Sequence, residues 1–339
     1  MKSVLYKLML FLIPVFILFI SMLTGCKKEN PIKFPKGIFP DSVYALSGIN
    51  SEYDDYNMNI PTIDGILPVI FSSNRATQGG KFDLVQGRIS FSFVQTDGNF
   101  ILNSEMTNDI YYGTIISKAN SSGNDFGPYS YFSSNDGFEY LILSSETNEN
   151  GLDFFYLKNL PRFGGSVPSV YGPYPLTLIN TSQNEAYIAF DFNSDSIYFC
   201  SDREGVFNIY VQGKNPGITT DLFFNRPFEP AVKVDSINSS YNDKTPFIYM
   251  NIMVFTSDRP GGLGGFDIYY SVFSNGKWRT PVNPGPPVNS PANEYRPVII
   301  TQGDFTNQAL LFSSDRAGGK GGYDLYFTGY SFPVKRINY

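Results

Sequence analysis

Carboxylates and arginines recur at fixed places in this chain, and both can do chemistry. Asp83, Asp153, Asp267 and Asp324 each follow a glycine-containing turn, and Arg75, Arg203, Arg259 and Arg316 each precede one. Glu52, Glu185 and Glu294 sit in Asn-Ser or Asn-Thr lead-ins. Carboxylates gathered in a ring can hold a cation or a sugar. Two of them about 5 to 10 Å apart, one with a raised pKa, can hydrolyse a glycosidic bond. A catalytic pair divides two tasks between its members, however, and repeat-equivalent acids do one task many times. The hairpin aspartates and arginines are therefore read as structural. The aspartates accept hydrogen bonds from turn amides, from the preceding serine hydroxyls or from the arginine. A strict ion pair does not describe them, because Arg203 faces Asn208 and Asp153 has no arginine. Glu52, Glu185 and Glu294 are the candidates for a ring at one mouth of a channel. No catalytic residue, metal ligand or cofactor site is assigned.

The chain has no histidine, which removes the usual general base, the serine and cysteine triads and the common zinc ligands. Its two cysteines are Cys26 and Cys200, and the second lies in the apolar run Ile197-Tyr198-Phe199-Cys200, where a buried free thiol is expected. A net charge of −6 opposes a nucleic-acid surface.

The elements that position these residues are hairpins. Thr256-Ser257-Asp258-Arg259 leads through Gly261-Gly262-Leu263-Gly264-Gly265 to Phe266-Asp267-Ile268-Tyr269, and the β-branched and aromatic flanks read as strands. The pattern returns with the serines Ser73, Ser145, Ser201, Ser257 and Ser314, spaced by 72, 56, 56 and 57 residues. With a lead-in strand before each hairpin and a short strand after it, each period holds four strands, the content of a propeller blade. The fold class is all-β, a single propeller with five blades expected and six possible. The long first period leaves residues 91–130, including Asp109-Ile110-Tyr111-Tyr112, as an elaborated or additional blade. Either residues 41–46 or residues 332–339 close the ring, because an open edge would expose unpaired backbone.

The N-terminus adds a separate signal. Lys2 and Lys7 precede an apolar run over residues 8–20, about 20 Å of helix and too short to span a bilayer. Leu23-Thr24-Gly25-Cys26 then resembles the bacterial lipobox. The expected organisation is a lipoprotein signal peptide over 1–25, a tether over 26–40 lipidated at Cys26, and the propeller over 41–339.

The Ser-Asp-Arg and Gly-Gly-Phe/Tyr-Asp-Ile/Leu-Tyr pattern resembles the WD-like β-propeller repeat of TolB-type envelope lipoproteins of the Bacteroidota, across about residues 51 to 326. That resemblance implies an outer-membrane lipoprotein, periplasmic or surface-facing. It further implies a non-catalytic propeller that binds envelope proteins, with a lipid-held membrane contact and no nucleic acid. The alternatives are a glycan- or peptidoglycan-binding module using exposed tyrosines and Trp278, or a five-bladed glycoside hydrolase.

Overall fold

The computed structural model describes residues 31–61, 66–147, 151–161 and 167–334. Cys26 and the signal-peptide motif lie outside the described residues, as do residues 335–339.

A two-residue strand, β1 (Tyr44–Ala45), precedes the first blade. Blade I holds β2 (Asp55–Asn59), β3 (Ile66–Ser73), β4 (Asp83–Val94) and β5 (Asn99–Met106). Blade II holds β6 (Asp125–Phe132), β7 (Glu139–Thr147), β8 (Gly151–Asn159) and β9 (Val170–Pro175). Blade III holds β10 (Glu185–Phe190), β11 (Ser196–Ser201), β12 (Asn208–Gly213) and β13 (Val232–Lys233). In blade IV the strands are β14 (Asp243–Tyr249), β15 (Ile252–Ser257), β16 (Asp267–Ser274) and β17 (Lys277–Trp278). Blade V has β18 (Glu294–Ile300), β19 (Gln308–Ser314) and β20 (Asp324–Tyr330), and its outer strand is β1, with Tyr44 opposite Phe327. The protein is a five-bladed β-propeller, closed by residues 44 and 45 on the last blade.

The inserted stretch of the first period is not a sixth blade. It extends β4, supplies β5 and then forms α1 (Ile110–Ala119), whose N-terminus Asp109 caps by accepting from the amides of Tyr111 and Tyr112. A second helix, α2 (Thr220–Phe224), lies between β12 and β13.

Asparagines stitch neighbouring blades together. Asn50, Asn120, Asn180, Asn238 and Asn289 each use both side-chain amide atoms to pair with one backbone residue of the preceding blade's third strand: Leu325, Leu84, Phe154, Ile209 and Ile268. Glycine fills the closest seams. A Cβ at Gly264 would stand 1.7 Å from the Ala292 carbonyl oxygen, and one at Gly321 1.9 Å from that of Tyr53. These two glycines are there for close approach, and the positive φ needed by the turns falls instead on Gly261 and Gly318.

Residues 33–40, expected as tether, are packed on the body. The amides of Lys33 and Phe34 donate to Gln95 O in the β4–β5 turn, Gly37 bridges to Phe305 in the β18–β19 turn, and the buried Phe39 ring stacks on Phe305 at 3.8 Å.

Candidate functional site

In a four-stranded meander, the start of each inner strand and the turn between the second and third strands lie on one face. That face carries every repeated residue singled out in the sequence. The lead-ins share one hexapeptide, Asn-Ser/Thr-x-x-Asn/Asp-Asp/Glu, at residues 50–55, 120–125, 180–185, 238–243 and 289–294. Its last residue begins the inner strand: Asp55, Asp125, Glu185, Asp243 and Glu294, all fully buried. Glu52 was expected alongside Glu185 and Glu294, but it lies three residues out of register and is exposed; Asp55 takes that place.

These five acids are clamped. Asp55 accepts from Ser51 N at 2.6 Å, Ser51 Oγ at 2.8 Å, Ser73 Oγ at 2.6 Å and Arg75 Nη2 at 2.6 Å. Arg203 pairs likewise with Glu185 at 3.1 Å, Arg259 with Asp243, and Arg316 with Glu294 at 2.8 Å. Each arginine also donates through Nε to the serine two residues earlier and through Nη2 to a lead-in carbonyl: Ile49, Ile179, Ile237 or Val288. The arginines thus pair with the lead-in acids and not with the hairpin aspartates. Asp267 instead accepts from Leu263 N and Gly264 N, Asp324 accepts from Lys320 N and Gly321 N, and Asp83 pairs with Lys81 at 2.6 Å. Asp153 is half-buried in the same turn position of blade II.

Asp125 departs from the pattern. It keeps its bonds from Ser121 N and Ser145 Oγ but has no arginine among the described residues; burial pushes its carboxyl above the usual range against those hydrogen bonds, as it does that of the clamped Glu294. Asp54 is a second departure. It occupies the half-exposed place held by Asn124, Asn184, Asn242 and Asn293, accepting from Asn74 Nδ2 at 3.1 Å and Tyr323 N at 2.8 Å.

The axis itself is filled. Every inner strand bulges at a residue with positive φ: Asn57, Gly127, Tyr187, Thr245 and Arg296. Such a φ is uncommon for tyrosine, threonine and arginine; Asn57, Tyr187 and Arg296 meet across the ring, whereas Thr245 donates to Thr256 of its own blade at 2.9 Å. Asn57 Nδ2 donates to Tyr187 Oη at 3.2 Å from blade I to blade III. Arg296 is fully buried, lies 5.5 Å over the Tyr187 ring and donates to the carbonyls of Pro246 and Pro128 at 3.4 and 3.3 Å.

Above this plug lies an aromatic mouth. The residue before each bulge is Tyr56, Phe126, Ala186, Lys244 or Tyr295, and the residue before Asp83, Asp153, Asn208, Asp267 or Asp324 in each hairpin is Phe82, Leu152, Phe207, Phe266 or Tyr323. Tyr56 packs on Phe82 at 5.0 Å, Tyr323 at 5.6 Å and Phe126 at 5.8 Å; Phe266 meets Tyr295 at 5.5 Å. Apart from Ala186 and Tyr295, which are buried, these side chains are half-buried. Trp278 is not among them: it is buried on β17, with Nε1 donating to Tyr198 Oη at 3.3 Å. Cys200 is buried beneath the mouth, donates to Ala186 O, and burial pushes its thiol up to about 11. Among the described residues, no group of three or more acids or cysteines can hold a metal ion.

A five-bladed propeller with a plugged axis and an aromatic mouth is thus the class that the geometry defines. No family model and no curated protein sequence matches the chain. Among solved structures it is similar to a thermostable family-43 glycoside hydrolase, with 14% identity, TM-score 0.53, and 85% of this chain and 93% of that one covered. It is also similar to the endo-arabinase from Bacteroides thetaiotaomicron, with 12% identity, TM-score 0.54, and coverage of 87% and 99%. At such identities the likeness concerns the fold. Both of these structures, which carry the ring nearly end to end, are glycoside hydrolases, and neither is a TolB-type repeat lipoprotein. The TolB-type resemblance is corrected accordingly, and the expectations of a non-catalytic protein-binding scaffold and of no enzyme fall with it.

Proposed function

We propose that the protein is a glycan-active propeller of the glycoside hydrolase kind, which takes a polysaccharide chain across its aromatic mouth. The observation that carries this reading is the ring of half-buried aromatic side chains at the axis of a five-bladed fold shared with a family-43 glycoside hydrolase and an endo-arabinase. Sugar rings present C–H faces that pack on aromatic faces, and a concave aromatic site with a few polar groups is the usual form of a small-ligand site.

Hydrolysis needs two carboxyl groups in different states. The two acids that break the repeat, Asp54 and Asp125, are the candidates. They flank Tyr56, which packs on Tyr323, whose amide holds Asp54, and on Phe126, the residue after Asp125. Asp54 is half-exposed, and the proton-retaining environment of Asp125 suits a donor. A second reading, glycan binding without cleavage, is favoured by the complete burial of the five inner-strand acids, Asp125 included.

Arabinan, xylan and arabino-oligosaccharides incubated with the purified protein test both. Release of reducing sugar is expected, with Asp54→Asn and Asp125→Asn each lowering turnover by about a hundredfold or more. Binding without release selects the second reading, and neither binding nor release of any glycan refutes the proposal.

A further inference from the structure

The mouth carries positive charge that the protein leaves unanswered. Lys244 stands where the other blades place Tyr56, Phe126, Ala186 and Tyr295, so the one charged member of that ring is a cation. Its ammonium lies 4.1 Å over Phe207, 5.6 Å from the Tyr295 ring centre and 5.9 Å from that of Phe266. Below it, Arg296 is wholly desolvated. Its two carbonyl contacts are long, and its Nε has no hydrogen-bond partner among the described residues. Neither cation has a carboxylate within ion-pair distance among the described residues, whereas Arg75, Arg203, Arg259 and Arg316 each have one.

Burying a cation without a counter-charge is costly, and folded proteins usually avoid it by pairing. Here four of the five inner-strand acids are committed to the arginine clamps, and among the described residues the fifth, Asp125, forms no ion pair with either cation. What Lys244 and Arg296 lack is a paired anion of their own, and the aromatic groups around Lys244 call for that anion on a molecule with a flat apolar face.

We infer that the glycan taken by the mouth is acidic: a uronic-acid oligosaccharide whose carboxylate is received by Lys244, with its pyranose ring against Phe207, Phe266 and Tyr295. Arg296 adds attraction from beneath without touching the sugar. The inference rests on the proposed glycan-binding mouth and narrows it to a substrate class. A charge-assisted pair beside a desolvated aromatic wall favours the acid over its neutral counterpart by about tenfold or more.

Calorimetric titration of the purified protein with trigalacturonate, its fully methyl-esterified form and arabinotriose tests this. The acid is expected to bind at least tenfold tighter than the ester, and added salt is expected to narrow the gap. Lys244→Gln is expected to shrink the preference for the acid over the ester from tenfold or more to less than about twofold. Equal binding of acid and ester, or a preference that survives in Lys244→Gln, overturns the inference and leaves the glycan reading standing. Binding of none of the three overturns both. Sodium acetate at the same carboxylate concentration serves as competitor, and full displacement by acetate shows a bare anion site and overturns the uronate assignment.

Discussion

Two isosteric substitutions at equivalent positions should have very different costs. Asp55→Asn removes the charge from a buried group that accepts four hydrogen bonds, one from Arg75, whose side chain is only 20% exposed. Breaking a buried pair from one side costs about 3 to 5 kcal/mol, because the surviving charge is stranded. Arg75 keeps its bonds to Ile49 O and Ser73 Oγ and some contact with water, so the expected loss is about 2 to 4 kcal/mol. Asp125→Asn strands no arginine. Folding raises the Asp125 pKa, so its burial costs nothing extra while the carboxyl is protonated in both states. Stability is lost as pH rises from the unfolded carboxylate's value through the raised folded one. The asparagine escapes that loss, and Asp125→Asn is expected within about 1 kcal/mol of wild type at neutral pH, with the variant gaining on wild type as pH rises from 4 to 7. Urea unfolding followed by circular dichroism measures both. With a slope of roughly 3 kcal/mol/M, Asp55→Asn should lower the midpoint by about 1 M, while Asp125→Asn should barely move it. Equal shifts for the two variants would refute the arginine-clamp account.

Gly264→Ala should cost about 2 kcal/mol or more, since its Cβ would meet the Ala292 carbonyl, whereas Gly303→Ala, with open space around it, should stay within about 0.5 kcal/mol; thermal melts compare them. Cys200 should resist a thiol reagent in the native protein at pH 8 and react at once in urea, and fast native labelling would show that the mouth opens. Cys26→Ser should abolish incorporation of labelled fatty acid in cells, and continued acylation would rule out the lipobox reading.

Much of the ring was legible in the sequence because its hairpins repeat both turn chemistry and strand pattern. The five serines, the arginines and the alternation after each turn mark five second and third strands without any structure. The inner strands were harder to read. Their hexapeptide allows aspartate or glutamate at its last position and asparagine or aspartate before it, so the eye settles on Glu52 and passes over Asp55 and Asn120. Aligning all five lead-ins on their asparagines restores the register. The mouth was not legible for a different reason: its aromatic residues come from two places in each period, and only the bulge in the inner strand turns them toward a common axis. Helix α1 was hidden by its β-branched and aromatic content, which reads as strand until the Asp109 cap and the packing of Tyr111, Ile115 and Ile116 are seen.

The packed N-terminal strap has a consequence for orientation. It runs over turns that join first to second strands and third to fourth strands, which is the face opposite the aromatic mouth. If Cys26 bears the lipid, six residues separate it from Lys33, a reach of at most about 25 Å. The propeller would then rest with its back to the bilayer and its mouth turned outward. A polymer too large to slip between protein and membrane would meet the binding face directly, and a lipid-embedded ligand would not reach it at all.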